Sequence, residues 1–143
     1  MRLTWLIAAV LYAAALPFAY AQAQQQEPRP YPPPPGSNEV LRSTLAAAPG
    51  VEVIVSDVVI PPNGQVPRHY HPGEEFLYLI EGTAIHVEEG KPDLPLKAGD
   101  SYAIPPRAIH SPRGGPEGAR AIVFRVHIAG QPERIDAPLP TGQ

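Results

Sequence analysis

The chain contains no cysteine among its 143 residues. Disulfide bonds therefore play no part in its stability, a lipid-anchored lipoprotein is not expected, and any metal must be held by imidazole and carboxylate groups. Lysine is almost as scarce, since Lys91 and Lys97 are the only two, and the formal net charge is −3. We do not expect nucleic acid as a partner, because phosphate binding needs clustered lysine and arginine.

The N-terminus has the pattern of an export signal. After Arg2, residues 3–18 form an uncharged run rich in leucine and alanine, followed by the small-x-small site Ala19-Tyr20-Ala21. This pattern is typical of a cleaved bacterial secretory signal, so we expect a signal peptide at residues 1–21 and a periplasmic or secreted protein without membrane contact after cleavage. An overlapping second site would place cleavage after Ala23. The alternative is an uncleaved anchor, because residues 3–21 are just long enough to cross a bilayer.

Proline and glycine divide the rest of the chain. Residues 22–48 begin with a tract of glutamine and proline that predicts an extended linker. A segment led by serine and asparagine follows, and it predicts a short helix that ends at Pro49-Gly50. Residues 49–130 are a series of short β-prone runs between Gly/Pro turns, which indicates an all-β fold, a small antiparallel β-barrel. Residues 131–143 carry three prolines and are predicted to be a tail.

One stretch, RHYHPGEEFLYLIEG, combines histidine and acid in a sequence that otherwise predicts a buried strand. His69 and His71 are two residues apart, so in a strand both point to the same face. Pro72-Gly73-Glu74 predicts a tight turn, which would bring Glu75 back beside His71 on a neighbouring antiparallel strand. A carboxylate buried among leucines is strongly disfavoured unless a cation accompanies it. These residues therefore predict a metal site.

Two motifs resemble those of a known family, the cupins. His69-x-His71-x3-Glu75-x6-Gly82 is similar to the first conserved cupin motif, and Gly99-x5-Pro105-x-Arg107-x2-His110 is similar to the second, with 16 residues between them. The resemblance covers residues 51–128 and implies a small single-domain (type 2) bacterial cupin with a jelly-roll barrel. By that likeness the metal ligands are His69, His71, Glu75 and His110.

Other residues depart from the motif or stand apart from it. Arg107 replaces the usual glycine of the second motif, and it either contacts an anionic substrate or is a solvated loop residue. His86 and His127 have no partner acid at useful spacing, so we interpret both as structural. Arg125 lies in an otherwise apolar strand, where a subunit partner, a salt bridge or an outward orientation would each explain it.

Three imidazoles and one carboxylate suit Fe, Mn, Ni, Cu or Zn, so the expected cofactor is a divalent transition metal of open identity. The resemblance implies a metal-dependent, dioxygenase-like enzyme acting on a small oxygenated organic compound, with Glu75 as ligand and catalytic base. The alternative is a non-catalytic barrel that binds a metal or small molecule in the cell envelope, because one fold hosts both functions. A lyase, isomerase or epimerase is a third route. A homodimer is expected by the same likeness.

Overall fold

The computed structural model describes residues 31–139, so the predicted signal peptide and the start of the linker lie outside the described residues. Eight strands and no helix occur within this range, which confirms the all-β prediction. The strands are β1 (Gly36–Thr44), β2 (Val51–Ile60), β3 (His69–Tyr70), β4 (Glu75–His86), β5 (Leu94–Lys97), β6 (Ser101–Ile104), β7 (Arg113–Ile128) and β8 (Ile135–Asp136). Across residues 31–139 there is accordingly no helix long and apolar enough to span a membrane.

The predicted short N-terminal helix is wrong, because that segment forms strand β1 and pairs antiparallel with β2. The side-chain amide of Asn38 donates to the Asp57 carbonyl at 3.0 Å, and Arg42 pairs with Glu52 at 2.9 Å. Helix propensity is a weak preference that tertiary pairing overrides, and these cross-strand contacts hold the segment extended. The sheet therefore begins within the part that the sequence assigned to the linker.

The strands form two antiparallel sheets. The larger sheet has the order β1-β2-β7-β4-β5, with β6 also paired to β4, and the smaller sheet consists of β3 and β8. Among residues 31–139, hydrogen bonds do not close these sheets into a ring, so this part of the jelly-roll is more open than the predicted barrel. The expected hairpin after His71 is also absent from the described residues, because β3 pairs with β8 while β4 pairs with β5, β6 and β7.

The predicted alternation along β4 is confirmed. Glu75, Leu77 and Leu79 all line an internal cavity, whereas Phe76 and Tyr78 on the opposite face are 43% and 49% exposed. Leu79 belongs to the buried apolar cluster of the larger sheet. One face of β4 thus supplies both the core and the wall of the cavity.

A glycine fixes where β4 begins. A Cβ atom on Gly73 would collide with the backbone carbonyl oxygen of Val126 in β7, so only glycine fits this approach. The next residue, Glu74, accepts a hydrogen bond from the Val126 amide at 2.9 Å. This close contact sets the register in which Glu75 lies directly opposite Arg125. The turn therefore places the Glu75 carboxylate within hydrogen-bond distance of the Arg125 guanidinium.

Candidate metal centre

Three buried histidines converge at one end of the cavity. His69 and His110 exchange backbone hydrogen bonds of 3.0 and 2.9 Å, which brings the second sequence motif against the first. His71 follows β3, and one ring nitrogen from each histidine lies within 4.8 Å of the others. All three side chains are at most 5% exposed. The structure thus brings together three of the four predicted ligands, His69, His71 and His110.

The hydrogen bonds of these rings leave the correct nitrogen free for a metal. The Nδ1 atoms of His69, His71 and His110 lie 2.8, 2.6 and 2.9 Å from backbone carbonyl oxygens. A carbonyl only accepts, so each Nδ1 must donate, and in a neutral ring the lone pair is then on Nε2. Outer hydrogen bonds of this kind orient the histidine ligands of metal sites. The donor set therefore fits a transition metal held by three Nε2 atoms.

Burial keeps the imidazoles of His69 and His71 neutral. It lowers the pKa of His69 from 6.5 to about 3, with a further contribution from the neighbouring His110. Burial also lowers the pKa of His71, although the Glu75 carboxylate opposes that shift. Neutral imidazole is the form that binds a metal. At neutral pH these two rings can therefore bind a metal ion without first losing a proton.

Glu75 lies beside this cluster but is not among its converging atoms. Its Oε2 accepts a hydrogen bond from Arg125 Nε at 2.7 Å and lies 3.1 Å from His71 Nε2. That second contact has ion-pair distance without hydrogen-bond geometry, since His71 Nε2 is a buried nitrogen without a hydrogen-bond partner among the described residues. Burial opposes ionisation of Glu75, but the charge and the hydrogen bond of Arg125 outweigh that effect and hold the pKa of Glu75 below its ordinary value. Metal ligation by Glu75 stays a prediction.

The cavity next to the histidines has a volume of about 440 Å³, within the range of small-molecule sites. Much of its lining is aliphatic. The apolar residues that form it are Leu77, Leu79, Ala84, Leu96, Ala121 and Val123. A ligand that reached the histidines would therefore leave water and enter an apolar chamber.

His86, interpreted from the sequence as structural, lines the same cavity. It is 2% exposed, its Nε2 donates to Glu88 Oε2 at 3.2 Å, and Tyr102 donates to that same oxygen at 3.1 Å. Lys91 completes the group with a 2.7 Å ion pair to Glu88. The His86 Nδ1 atom is buried and has no hydrogen-bond partner among residues 31–139. The interpretation that His86 has no partner acid at useful spacing is therefore wrong, since Glu88 lies only two residues further along the chain, although the contribution of Tyr102 depends on the fold.

The two arginines considered in the sequence have different outcomes. Arg125 forms a salt bridge, to Glu75 at 2.7 Å and to Glu133 at 2.9 Å, so one of its three interpretations is confirmed. Arg107 is exposed and is not among the residues lining the cavity. Its φ of 63° lies in the left-handed region, which explains why glycine suits this position, and its amide donates to the His71 carbonyl at 2.8 Å. These observations favour the solvated-loop interpretation.

Comparison with known families identifies the fold. Residues 56–125, which are 70 of the 143 residues, match the family described as the cupin domain. This match spans His69, His71 and His110 and the apolar cavity residues named above. The predicted cofactor class, a divalent transition metal, is confirmed at the level of this family and the histidine set.

Solved structures show the same architecture. A cupin-like protein from Thermotoga maritima is 29% identical with a TM-score of 0.52, over 59% of this chain and 64% of that one. A protein with a double-stranded β-helix domain from Klebsiella pneumoniae is 22% identical with a TM-score of 0.57, over 78% of this chain and 90% of that one. These neighbours confirm the jelly-roll fold.

Curated relatives share part of the sequence. The 3-hydroxyanthranilate 3,4-dioxygenase of Ruegeria pomeroyi is 36% identical over 70 residues, covering 47% of this chain and 39% of the relative. The enzyme of the same name from Xanthomonas oryzae is 30% identical over 70 residues, covering 47% and 40%. The chain spans about two-fifths of the length of these relatives.

Proposed function

We propose that the protein is an exported, metal-dependent cupin oxygenase acting on a small hydroxylated aromatic compound. The observation that carries the proposal is the triad of His69, His71 and His110, three imidazoles with their Nδ1 atoms fixed by carbonyl groups, in the lining of a largely apolar cavity of about 440 Å³. Similarity to enzymes named 3-hydroxyanthranilate 3,4-dioxygenase supports an aromatic substrate. Export rests on the sequence pattern of residues 1–21.

The residues around the triad define what the chain would contribute to such a reaction. His69, His71 and His110 would hold the metal, which when bound would supply Lewis-acid activation and open coordination positions for substrate and dioxygen. The aliphatic wall excludes water from an aromatic ring and strengthens polar contacts made inside the cavity. His86 Nδ1 would accept a hydrogen bond from a ring hydroxyl or amine, because its own donor is engaged by Glu88.

Glu75 would act as an anionic acceptor beside His71 rather than as a proton donor, since Arg125 holds its pKa low. A carboxylate with a low pKa is a weak general base. For Glu75 to bind the metal or take a proton from substrate, it would have to leave the 2.7 Å contact with Arg125. The proposed role as base therefore depends on exchange of Glu75 between these partners.

The second candidate function is a non-catalytic barrel that binds a metal and a small molecule. The specific observation in its favour is the same ion pair, which occupies the acidic group nearest the triad. Under this function the cavity would still bind aromatic ligands, but no oxygen would be consumed.

The deciding experiment uses purified protein loaded separately with Fe(II), Mn(II), Ni(II), Cu(II) and Zn(II). Oxygen uptake is followed with 3-hydroxyanthranilate, catechols, flavonols and diketones. The oxygenase proposal expects uptake with at least one metal and one substrate, and loss of uptake in His110→Ala but not in His127→Gln, whose equally buried ring is outside the cavity lining. Metal binding without uptake across the panel would support the binding protein instead.

A further inference from the structure

The C-terminal segment, residues 131–139, runs alongside the strand that carries His69. Its strand β8 pairs with β3, so that Asp136 lies opposite His69 and Ile135 opposite Tyr70. The Ala137 amide donates to the Arg68 carbonyl at 3.0 Å, which extends the contact by one residue. The segment predicted to be a tail is therefore hydrogen-bonded to the metal-binding strand.

One histidine ring makes its outer hydrogen bond to this segment, and a second ring shares its carbonyl acceptor with a side chain of the segment. The carbonyl oxygen that accepts from His71 Nδ1, at 2.6 Å, belongs to Glu133. The Pro67 carbonyl, which accepts from His69 Nδ1 at 2.8 Å, also accepts a hydrogen bond from Arg134 at 3.3 Å. The contact with His71 is direct. Because the Glu133 carbonyl only accepts, it fixes the proton of His71 on Nδ1.

The side chain of Glu133 anchors the segment to the body of the fold. One oxygen accepts from Arg125 at 2.9 Å and the other from Arg42 at 3.2 Å. Arg125 is the residue that also holds Glu75. The segment is thus tied at Glu133 to β7 and β1 and at Ala137 to the chain just before His69. Since the segment is short and much of it is exposed, its docking free energy is expected to be small and local.

We propose that docking of the C-terminal segment and binding of the metal reinforce each other, with Glu133 as the positioning residue. The proposal rests on the metal site of the proposed function. A docked segment keeps the proton of His71 on Nδ1 and its lone pair on Nε2, so the ligand is oriented before the metal arrives. A bound metal fixes the same ring and thereby strengthens the contact with Glu133. By thermodynamic linkage the two effects have equal magnitude.

The first test measures zinc affinity by competition with a chromophoric chelator. A chain ending at Leu139 keeps every contact described above and is the control. A chain ending at Gln131 lacks Glu133 and β8, and we expect its affinity to fall by about 10- to 100-fold, the range known for outer-shell partners of metal ligands. Glu133→Ala should lose part of that affinity, and Glu133→Gln should retain more because its amide oxygen still accepts from Arg125.

The second test measures the reciprocal effect in the full chain. Hydrogen exchange of residues 131–139 should slow when zinc is added, and this protection should disappear in His110→Ala, which removes a ligand that does not contact the segment. If the chain ending at Gln131 does not fold, Glu133→Ala and the exchange experiment decide the matter.

Unchanged zinc affinity within about threefold in a folded chain ending at Gln131, or exchange that zinc does not slow, would overturn the coupling while leaving the metal site intact. Failure of the full chain to bind zinc would overturn the site itself, and the coupling with it.

Discussion

Removal of Arg125 should reveal the free energy stored in the buried ion pair next to the triad. Arg125 and Glu75 have side chains that are each 8% exposed, and they are joined at 2.7 Å. In metal-free Arg125→Leu, the Glu75 carboxylate would remain in a buried site without its main partner. Breaking a buried pair from one side costs about 3–5 kcal/mol.

Protonation of Glu75 sets an upper limit on this loss. At pH 7 a carboxyl with an ordinary pKa of about 4.3 can be neutralised at a cost of about 1.4 kcal/mol per pH unit, or roughly 3.7 kcal/mol. We therefore expect Arg125→Leu to lose about 3–4 kcal/mol of unfolding free energy at pH 7. The loss should shrink as the pH falls toward 5, because in the variant the folded pKa of Glu75 is raised and each proton it binds favours the folded state.

The assay is urea unfolding of chelator-treated protein followed by circular dichroism. Tryptophan fluorescence is unsuitable, because the only tryptophan, Trp5, lies in the predicted signal peptide. Glu75→Gln/Arg125→Leu should recover much of the lost free energy, since neither charge remains. Arg120→Leu is the matched control, because it also breaks two ion pairs, to Asp57 and Glu81, on partly exposed side chains, and it should lose about 1 kcal/mol or less. A loss below about 1 kcal/mol for Arg125→Leu, or one that does not vary between pH 5 and 8, would refute the reasoning.

Four further predictions concern other parts of the molecule. The pKa of His69 is about 3 in the folded protein against 6.5 ordinarily, so between these values the unfolded chain binds a proton that the folded chain does not. Metal-free protein should therefore keep its full stability with respect to His69 above pH 6.5 and lose stability as the pH falls toward 3. A flat urea midpoint over that range would contradict this prediction. Gly73→Ala should lose about 3 kcal/mol or more, since its Cβ collides with the backbone carbonyl of Val126, and a near-native thermal unfolding curve would argue against the tight turn. His86→Leu should leave zinc affinity intact but weaken binding of 3-hydroxyanthranilate by about tenfold while affecting anthranilate little, as measured by calorimetry; equal effects on both would assign His86 a structural role. Phe124, 44% exposed on the outer face of the sheet, should lie in the interface of the expected homodimer. Phe124→Ser should therefore yield monomers by light scattering. A monomeric parent protein would disprove the expectation.

Local pattern predicted the parts of the site that lie close together in the sequence. The two-residue spacing of His69 and His71 and the alternation after Glu75 follow from strand geometry, and both are present in the structure. His110 came from the resemblance of the second motif, since its pairing with His69 depends on chain folding over many residues.

The features that were missed depend on long-range pairing. Arg125 lies opposite Glu75 through the register of β4 and β7, which no local pattern specifies. Residues 37–48 resemble a helix locally, but pairing with β2 makes most of them a strand. Glu133 contributes a backbone carbonyl to His71. Every residue has such a carbonyl, so the amino-acid type at position 133 does not reveal the contact.

The convergence of the three histidines on one ion can be tested by zinc binding to the full chain and to His110→Ala. We expect one zinc ion per chain in the parent protein by elemental analysis, and an affinity in His110→Ala that is reduced by more than the roughly 100-fold upper range of outer-shell partners. A chain that binds no zinc, or a variant that binds it as tightly as the parent, would contradict the convergence of His69, His71 and His110 on one ion.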